Sequence, residues 1–203
     1  MLLRFSPTSP YVRKVSVTLE EKELGQRVER VPTNPWDSNT DLATHNPLGK
    51  VPALVTDDGL VLHDSPLICE YLDCLSSAPR LIPESGPQRW RVLCMQALAD
   101  GVLDAAVLYF LESAKRPEEL RWSAWMERQL DKIRGALDVM QTDLPGLGEE
   151  ITLGHIGAAC ALSYVDFRLP GEEWRSSRQD LARWYQEFAQ RPSMRATEPQ
   201  EPS

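Results

Sequence analysis

The sequence predicts an α/β plus all-α protein, with a small mixed α/β domain over residues 1–78 and an all-helical domain over 87–203. Three observations carry this. Short runs at Leu2–Phe5, Arg27–Val31, Ala53–Thr56 and Leu60–His63 read as strands, and helical periods stand between and after them. The stretch 76–87 holds Pro79, Pro83, Gly86 and Pro87, a composition that suits a linker. Beyond it no strand pattern recurs, and every apolar period is helical.

Leu2–Phe5 is a short apolar strand. After Ser6-Pro7-Thr8-Ser9-Pro10 a helix runs to about Leu24, with Val12, Val15 and Leu19 at helical spacing and Gly25 as its stop. Arg27–Val31 reads as a second strand despite poor alternation, and residues 32–45 are irregular with one helical turn around Asp41–Thr44. Asn46-Pro47-Leu48-Gly49-Lys50-Val51-Pro52 then turns into the strand Ala53–Thr56. Asp57-Asp58-Gly59 is a tight-turn signal, and Leu60–His63 is the returning strand. Ser65 as N-cap and Pro66 as first helical residue open a helix that buries Leu67, Ile68, Tyr71, Leu72 and Leu75 on one side. The order β-α-β-(α)-β-β-α needs a parallel crossover and then an antiparallel hairpin. The outcome is a four-stranded mixed sheet with helices on its faces.

The second half begins with a long helix from Pro87 to Lys115, and Pro117 separates it from another over 118–143. The next, Leu153–Phe167, is apolar on almost every side and should be the buried centre of this half. A last helix covers Ser177–Gln190, and the tail after Arg191 is expected to lie loosely on the surface.

A net charge of −8 disfavours nucleic acid and anionic membrane as partners. No N-terminal targeting segment and no apolar stretch of ~20 residues stands out, so no membrane span is expected. Cys69, Cys74, Cys94 and Cys160 lie in apolar helical patterns without a Cys-x-x-Cys spacing, which suits buried reduced thiols in a cytosolic protein. His45, His63 and His155 share no ligand spacing, so no metal is expected.

Two features carry chemistry. Proline in a tight turn can hold a cis bond, and a turned-out backbone before Pro52 would leave the N–H and C=O of Val51 free to pair with an extended peptide. Ser9-Pro10 and Ser65-Pro66 each put a hydroxyl at a helix N-terminus, where free N–H groups and the helix dipole favour negative charge. Each could also be only a helix cap. Read whole, Asn46-Pro-Leu-Gly-Lys-Val-Pro-Ala-Leu followed by Asp64-Ser65 resembles the glutathione-binding half of the cytosolic glutathione S-transferases. The likeness is specific over residues 1–75 and looser beyond.

The resemblance implies a thioredoxin-like first domain and glutathione as co-substrate, with no metal. Val51, before a cis proline, would pair with the cysteinyl backbone, while Asp64 and Ser65 would hold the γ-glutamyl end. Lys50 could neutralise the glycyl carboxylate, and His45 is a weaker candidate for that end. Ser9-Pro-Tyr-Val-Arg-Lys resembles the serine form of the tau-like classes and aligns with the Cys-Pro-Phe of omega-like classes, so Ser9 is the candidate catalytic residue. Thr8 is its nearest rival, and Tyr11 lies inside the helix.

A small, electrophilic, apolar second substrate would meet Trp36, Leu103, Val107 and Tyr109, near Asp100 and Asp104. A cytoplasmic homodimer is implied by the family alone. The alternatives are a non-catalytic glutathione or ligand binder and a protein-interaction module on the same fold. The family usually opens its central helix with Ser/Thr-x-x-Asp. Here the motif is Thr152-Leu153-Gly154-His155, which puts that reciprocal cap in doubt and suggests a neutral His155.

Overall fold

The computed structural model describes residues 1–200 and divides into two compact units, each with its own core. The first comprises Met1–Ile82 together with the segment that starts at Pro192, and the second is Pro83–Arg191.

In the first unit, β1 (Leu2–Phe5) leads into α1 (Pro10–Glu21), then β2 (Glu29–Pro32), a 3-10 turn at Leu42–Thr44, β3 (Ala53–Val55), β4 (Val61–Leu62) and α2 (Ser65–Cys74). The sheet order is β2-β1-β3-β4. β1 pairs parallel with β2 and antiparallel with β3, and β3 pairs antiparallel with β4. This is the predicted mixed sheet. β2 starts two residues later than the sequence suggests, since its alternation marks no edge. On α2, Ile68, Cys69 and Leu72 are buried, but Leu67 is 46% exposed and leaves the predicted apolar stripe.

An ion pair lies deep in this unit. The Lys22 ammonium donates to Asp73 Oδ1 (2.9 Å), to the Asp73 carbonyl (3.1 Å), and to the carbonyls of Ser76 (3.0 Å) and Pro79 (2.6 Å). The Asp73 carboxylate also accepts from the backbone N–H groups of Leu81 (2.9 Å) and Ile82 (3.0 Å). Every strong polar atom of the pair is thus used, which is what makes burial of both charges tolerable. The cluster ties α1, the end of α2 and the chain up to Ile82 into one body.

The tail departs from expectation. Pro192–Ala196 is a short helix, α8, packed on α1, with Ser193 and Met194 buried. Arg13 donates to the Met194 carbonyl (3.1 Å), and Ser193 Oγ donates to Glu21 (2.5 Å). One apolar side chain and two polar anchors fix it, a pattern too short to show as a period.

The second unit contains α3 (Gly86–Phe110), which continues as a π-turn over Leu111–Lys115, then α4 (Ser123–Asp143), α5 (Leu153–Arg168), α6 (Trp174–Ser177) and α7 (Gln179–Phe188). By length and composition the stretch Gly86–Lys115 is apolar enough to cross a membrane, contrary to the sequence expectation. Its Val92, Met95, Ala99, Val102 and Leu103 are buried, and α3 packs on α4 and α5, which accounts for the apolar content. α5 is buried along nearly its whole length, as predicted. It approaches α3 closely at Gly154, where a Cβ would stand 2.8 Å from Leu147 Cδ1 and 3.2 Å from the Val92 carbonyl oxygen. Of the four free cysteines, Cys69 and Cys160 are buried, but Cys74 and Cys94 are exposed. An apolar neighbourhood in sequence does not fix which side of a helix a cysteine takes.

The doubtful cap is intact. Thr152 is the N-cap of α5, and the backbone N–H of His155 donates to its Oγ1 (3.4 Å). In return the Thr152 N–H donates to His155 Nδ1 (3.2 Å). A neutral imidazole therefore does the work of the missing carboxylate, as an acceptor without charge. Burial, reinforced by the positive charge of Arg191, pushes the His155 pKa down to about 4. The ring also stacks near Phe188 and Trp184, with centroids 6.4 and 6.0 Å away.

Candidate functional site

Strand register gathers the predicted residues. Arg4 lies opposite Ala53, and Leu54 opposite Leu62. The end of β1, the start of β3 and the end of β4 therefore share one rim of the sheet. Ser9 follows β1, Val51 precedes β3, and Asp64 and Ser65 follow β4. Neighbouring strands lie ~4.8 Å apart, so β1 to β4 covers ~10 Å, about the length of an extended tripeptide.

At β1, Ser9 is half-buried and caps α1, with Pro10 at the first helical position. Its Oγ accepts from the Val12 N–H at 3.3 Å. A hydroxyl has one proton and two lone pairs, so this cap leaves the proton available to a partner outside. The Thr8 hydroxyl shares a 3.3 Å hydrogen bond with Ser6 Oγ, so it has a partner within its own loop. Tyr11 lies within α1, as predicted.

At β3, the Val51–Pro52 bond is cis, as the resemblance implies. The Val51 side chain is buried in a small cluster with Val12 and Leu42, against which Phe5 packs. Val12 thus touches both halves of the rim: its N–H holds Ser9 Oγ and its side chain supports Val51. The backbone N–H and C=O of Val51 enter none of the turn, cap or ladder hydrogen bonds among the described residues. The loop before it is held by Asn46, 2% exposed, whose amide donates to the Lys50 carbonyl (2.8 Å) and whose Oδ1 accepts from the Leu48 N–H (3.0 Å). Gly49 takes a left-handed φ of 62°, which a side chain would disfavour. Sequence reasoning read Asn46 only as turn chemistry; its following proline and glycine were the available signal for this structural role. Lys50 has an exposed side chain, and His45, half-buried at the end of the 3-10 turn, pairs with the Thr44 hydroxyl (3.3 Å).

At β4 the frame differs from the prediction by one residue. Asp64, not Ser65, is the N-cap of α2, so Ser65 and Pro66 take the first two helical positions. The first turn of a helix needs no N–H partner at either position, so proline fits both and a Ser-Pro pair leaves the frame open. Asp64 is exposed and its carboxylate makes no capping bond. Ser65 is 1% exposed, and its Oγ has no hydrogen-bond partner. A buried hydroxyl and an uncapped helix N-terminus beside an exposed carboxylate can take a group carrying both charges: the hydroxyl and N–H groups a carboxylate, Asp64 an ammonium.

The residues suggested for a second substrate divide. Trp36 is 72% exposed in the first unit. In the second, Val107 and Tyr109 are half-buried, but Leu103 is fully buried and belongs to the core. Among the described residues, no group of three or more His, Cys, Asp or Glu side chains is placed to hold a metal ion.

Comparison with known proteins identifies the family. Residues 8–75 match the family model of the glutathione S-transferase N-terminal domain, and residues 123–187 that of the C-terminal domain. An uncharacterized GST-like protein, YibF, of Escherichia coli K12 is 37% identical over 202 residues, 98% of each chain. A glutathione transferase family member from Pseudomonas fluorescens Pf-5, solved with bound glutathione, is 45% identical and superimposes with a TM-score of 0.94 over 98% of this chain and 99% of that one. A glutathione S-transferase from Methylobacillus flagellatus KT, also solved with glutathione, is 38% identical with a TM-score of 0.92 over 98% and 99%. The chain belongs to the glutathione S-transferase family.

Proposed function

We propose that this protein is a glutathione transferase that binds glutathione along the sheet rim and activates its thiol for attack on an electrophile. One observation carries the reading: the unpaired backbone of Val51 stands between a capped hydroxyl at Ser9 and an uncapped helix start at Asp64 and Ser65. An extended tripeptide laid over these strands would put its γ-glutamyl end at Asp64 and Ser65, its cysteinyl backbone on Val51 and its sulfur towards Ser9. Lys50 would meet the glycyl carboxylate. Two similar proteins hold glutathione, and the Pseudomonas fluorescens relative has also been solved with S-(propanoic acid)-glutathione, whose sulfur is already substituted.

The chemistry follows from the thiol. Free cysteine has a pKa of ~8.5, so a few per cent is thiolate at neutral pH. The Ser9 proton and the positive end of α1 would stabilise the thiolate and lower that pKa. The thiolate then attacks the electrophilic carbon; the carbon–sulfur bond forms as the leaving group departs with its electron pair. An apolar electrophile, a cytoplasmic location and a homodimer complete the reading, each resting on the family alone.

Calorimetric titration with glutathione, followed by turnover of a generic aromatic electrophile, tests the proposal. Saturable binding with glutathione-dependent conjugation is expected. Binding without turnover would make the protein a carrier, and no binding would remove the reading altogether.

A further inference from the structure

Buried polar atoms in the first unit are mostly tied. Lys22, Asp73 and Asn46 each bond through every group that faces inward. Against that background, two buried atoms without a partner lie on either side of Asp64: Ser65 Oγ and His63 Nδ1. Another, Ser76 Oγ, lies past the opposite end of α2. A buried polar atom left unpaired is costly, so two within three residues, beside a helix start without a side-chain cap, mark a place that a ligand completes.

The two atoms can play different parts, because in the tautomer protonated at Nε2 the His63 Nδ1 is an acceptor only. The Ser65 hydroxyl can donate or accept. A neutral imidazole has one N–H and one bare nitrogen, and the bare nitrogen only accepts. With Ser65 and the N-terminus of α2 suited to a carboxylate, an acceptor at residue 63 suits the positive group bonded to the same carbon. We propose that His63 is a further binding residue, whose Nδ1 accepts a hydrogen bond from the ammonium of an α-amino-acid terminus beside the Asp64 carboxylate. The inference rests on the glutathione reading, where that terminus is the γ-glutamyl end. It assigns the site a second ammonium acceptor, and so a sharper preference for ligands carrying a free α-amine. The Nε2 atom then carries the ring proton.

A ligand cycle tests this. Glutathione and its desamino analogue, in which a glutaryl group replaces γ-glutamyl, are titrated by calorimetry into the wild type, His63→Phe, His63→Asn and His63→Gln. An asparagine oxygen falls where Nδ1 sits, whereas a glutamine reaches towards Nε2. Hydrogen bonds to charged groups are strong enough that His63→Phe should weaken glutathione about ten-fold and the desamino analogue less than about two-fold. His63→Asn should recover most of the glutathione affinity, and His63→Gln should not. Equal weakening of both ligands, or no weakening, would mean that Nδ1 is met by water or by the protein, and would overturn the proposal. If His63→Phe fails to fold, the Asn and Gln variants decide: equal affinity for glutathione overturns it. Wild type that binds glutathione without any dependence on residue 63 sinks this inference alone. Wild type that binds neither ligand sinks the parent reading with it.

Discussion

The helix starts of α2 and α5 face the same problem and solve it oppositely. Both begin after an extended cap residue, Asp64 in one and Thr152 in the other. At α5 the cap is closed, with Thr152 and His155 each satisfying the other's backbone N–H. At α2 the cap makes no bond, and a buried hydroxyl beside it has no partner. A helix start costs stability when its donors are left unmet, so a start that serves only the fold closes itself. One left open keeps its donors and its dipole for something else. α1 stands between them: Ser9 accepts one bond as a cap and still has a proton to give. The three starts thus rank from closed to open, and the open ones lie on the rim beside Val51.

The largest effect expected from breaking this contrast is on the closed start. His155 works as an acceptor only while neutral. Its folded pKa is about 4, against ~6.5 for an unfolded imidazole. Below pH ~6.5 the unfolded chain therefore takes up a proton that the folded chain refuses. Stability contributed by this site is full above pH ~6.5, falls through the window down to about 4 and is lost below it. The loss should amount to about 2–3 kcal/mol, measured by urea denaturation at pH 7, 5.5 and 4. His155→Asp should move the acid loss of this site below that window, because a carboxylate accepts the same bond at lower pH. An unchanged acid limb in that variant would show that the box does not control it.

At the open start the sign should reverse, with binding affected and folding spared. Asp64→Ala removes the carboxylate proposed for the ligand ammonium and should weaken glutathione by about 2 kcal/mol in calorimetry. Since Asp64 makes no capping bond, the melting temperature should hardly move. Thr152→Ala is the counterpart: a loss of about 1 kcal/mol in stability and an unchanged glutathione dissociation constant. If Asp64→Ala destabilised the fold while leaving affinity alone, the two starts would be alike and the contrast would fail.

How much of this could be read in the sequence depends on the distance over which each feature is fixed. Local patterns sufficed for the mixed four-stranded sheet, the buried α5 and the turn before Pro52, because period and turn residues act over a few positions, whereas the strand order β2-β1-β3-β4 is set by pairing between distant segments. The cap of α2 lies one residue before the predicted one because proline satisfies two frames equally. Apolar sequence context points Leu67 and Cys74 to the interior, but their exposure is set by where α2 lies against the rest of its unit. The docking of Met194 on α1 joins residues 181 apart, and no local signal announces it. The closed box at His155 was legible as a departure. That it still closes required the geometry of Nδ1, since the letter at that position had changed its charge but kept its acceptor.

The smallest and most exacting test concerns Ser9, the intermediate start. If its proton stabilises the bound thiolate, Ser9→Ala should raise the pKa of bound glutathione. A donor aimed at negative charge can be worth about 2.7–4 kcal/mol in a favourable site. Less is expected here, about 1 kcal/mol or somewhat under one pKa unit, because the N-terminus of α1 still faces the sulfur in the variant. Loss of the cap itself should cost about 1 kcal/mol of stability, as at Thr152, and is read separately by urea denaturation. Thiolate absorbance in the ultraviolet, followed across pH in both proteins, reads the shift without needing an electrophile. Affinity for glutathione should stay nearly constant, because Val51, Asp64 and Ser65 are untouched. Identical titrations would reduce Ser9 to a cap like Thr152. Thr8→Ala would then be the next variant, although the Thr8 hydroxyl already shares its bond with Ser6. A null result at both would leave the backbone N–H groups of α1 to stabilise the thiolate, with Tyr11 the first available because Pro10 has none to give.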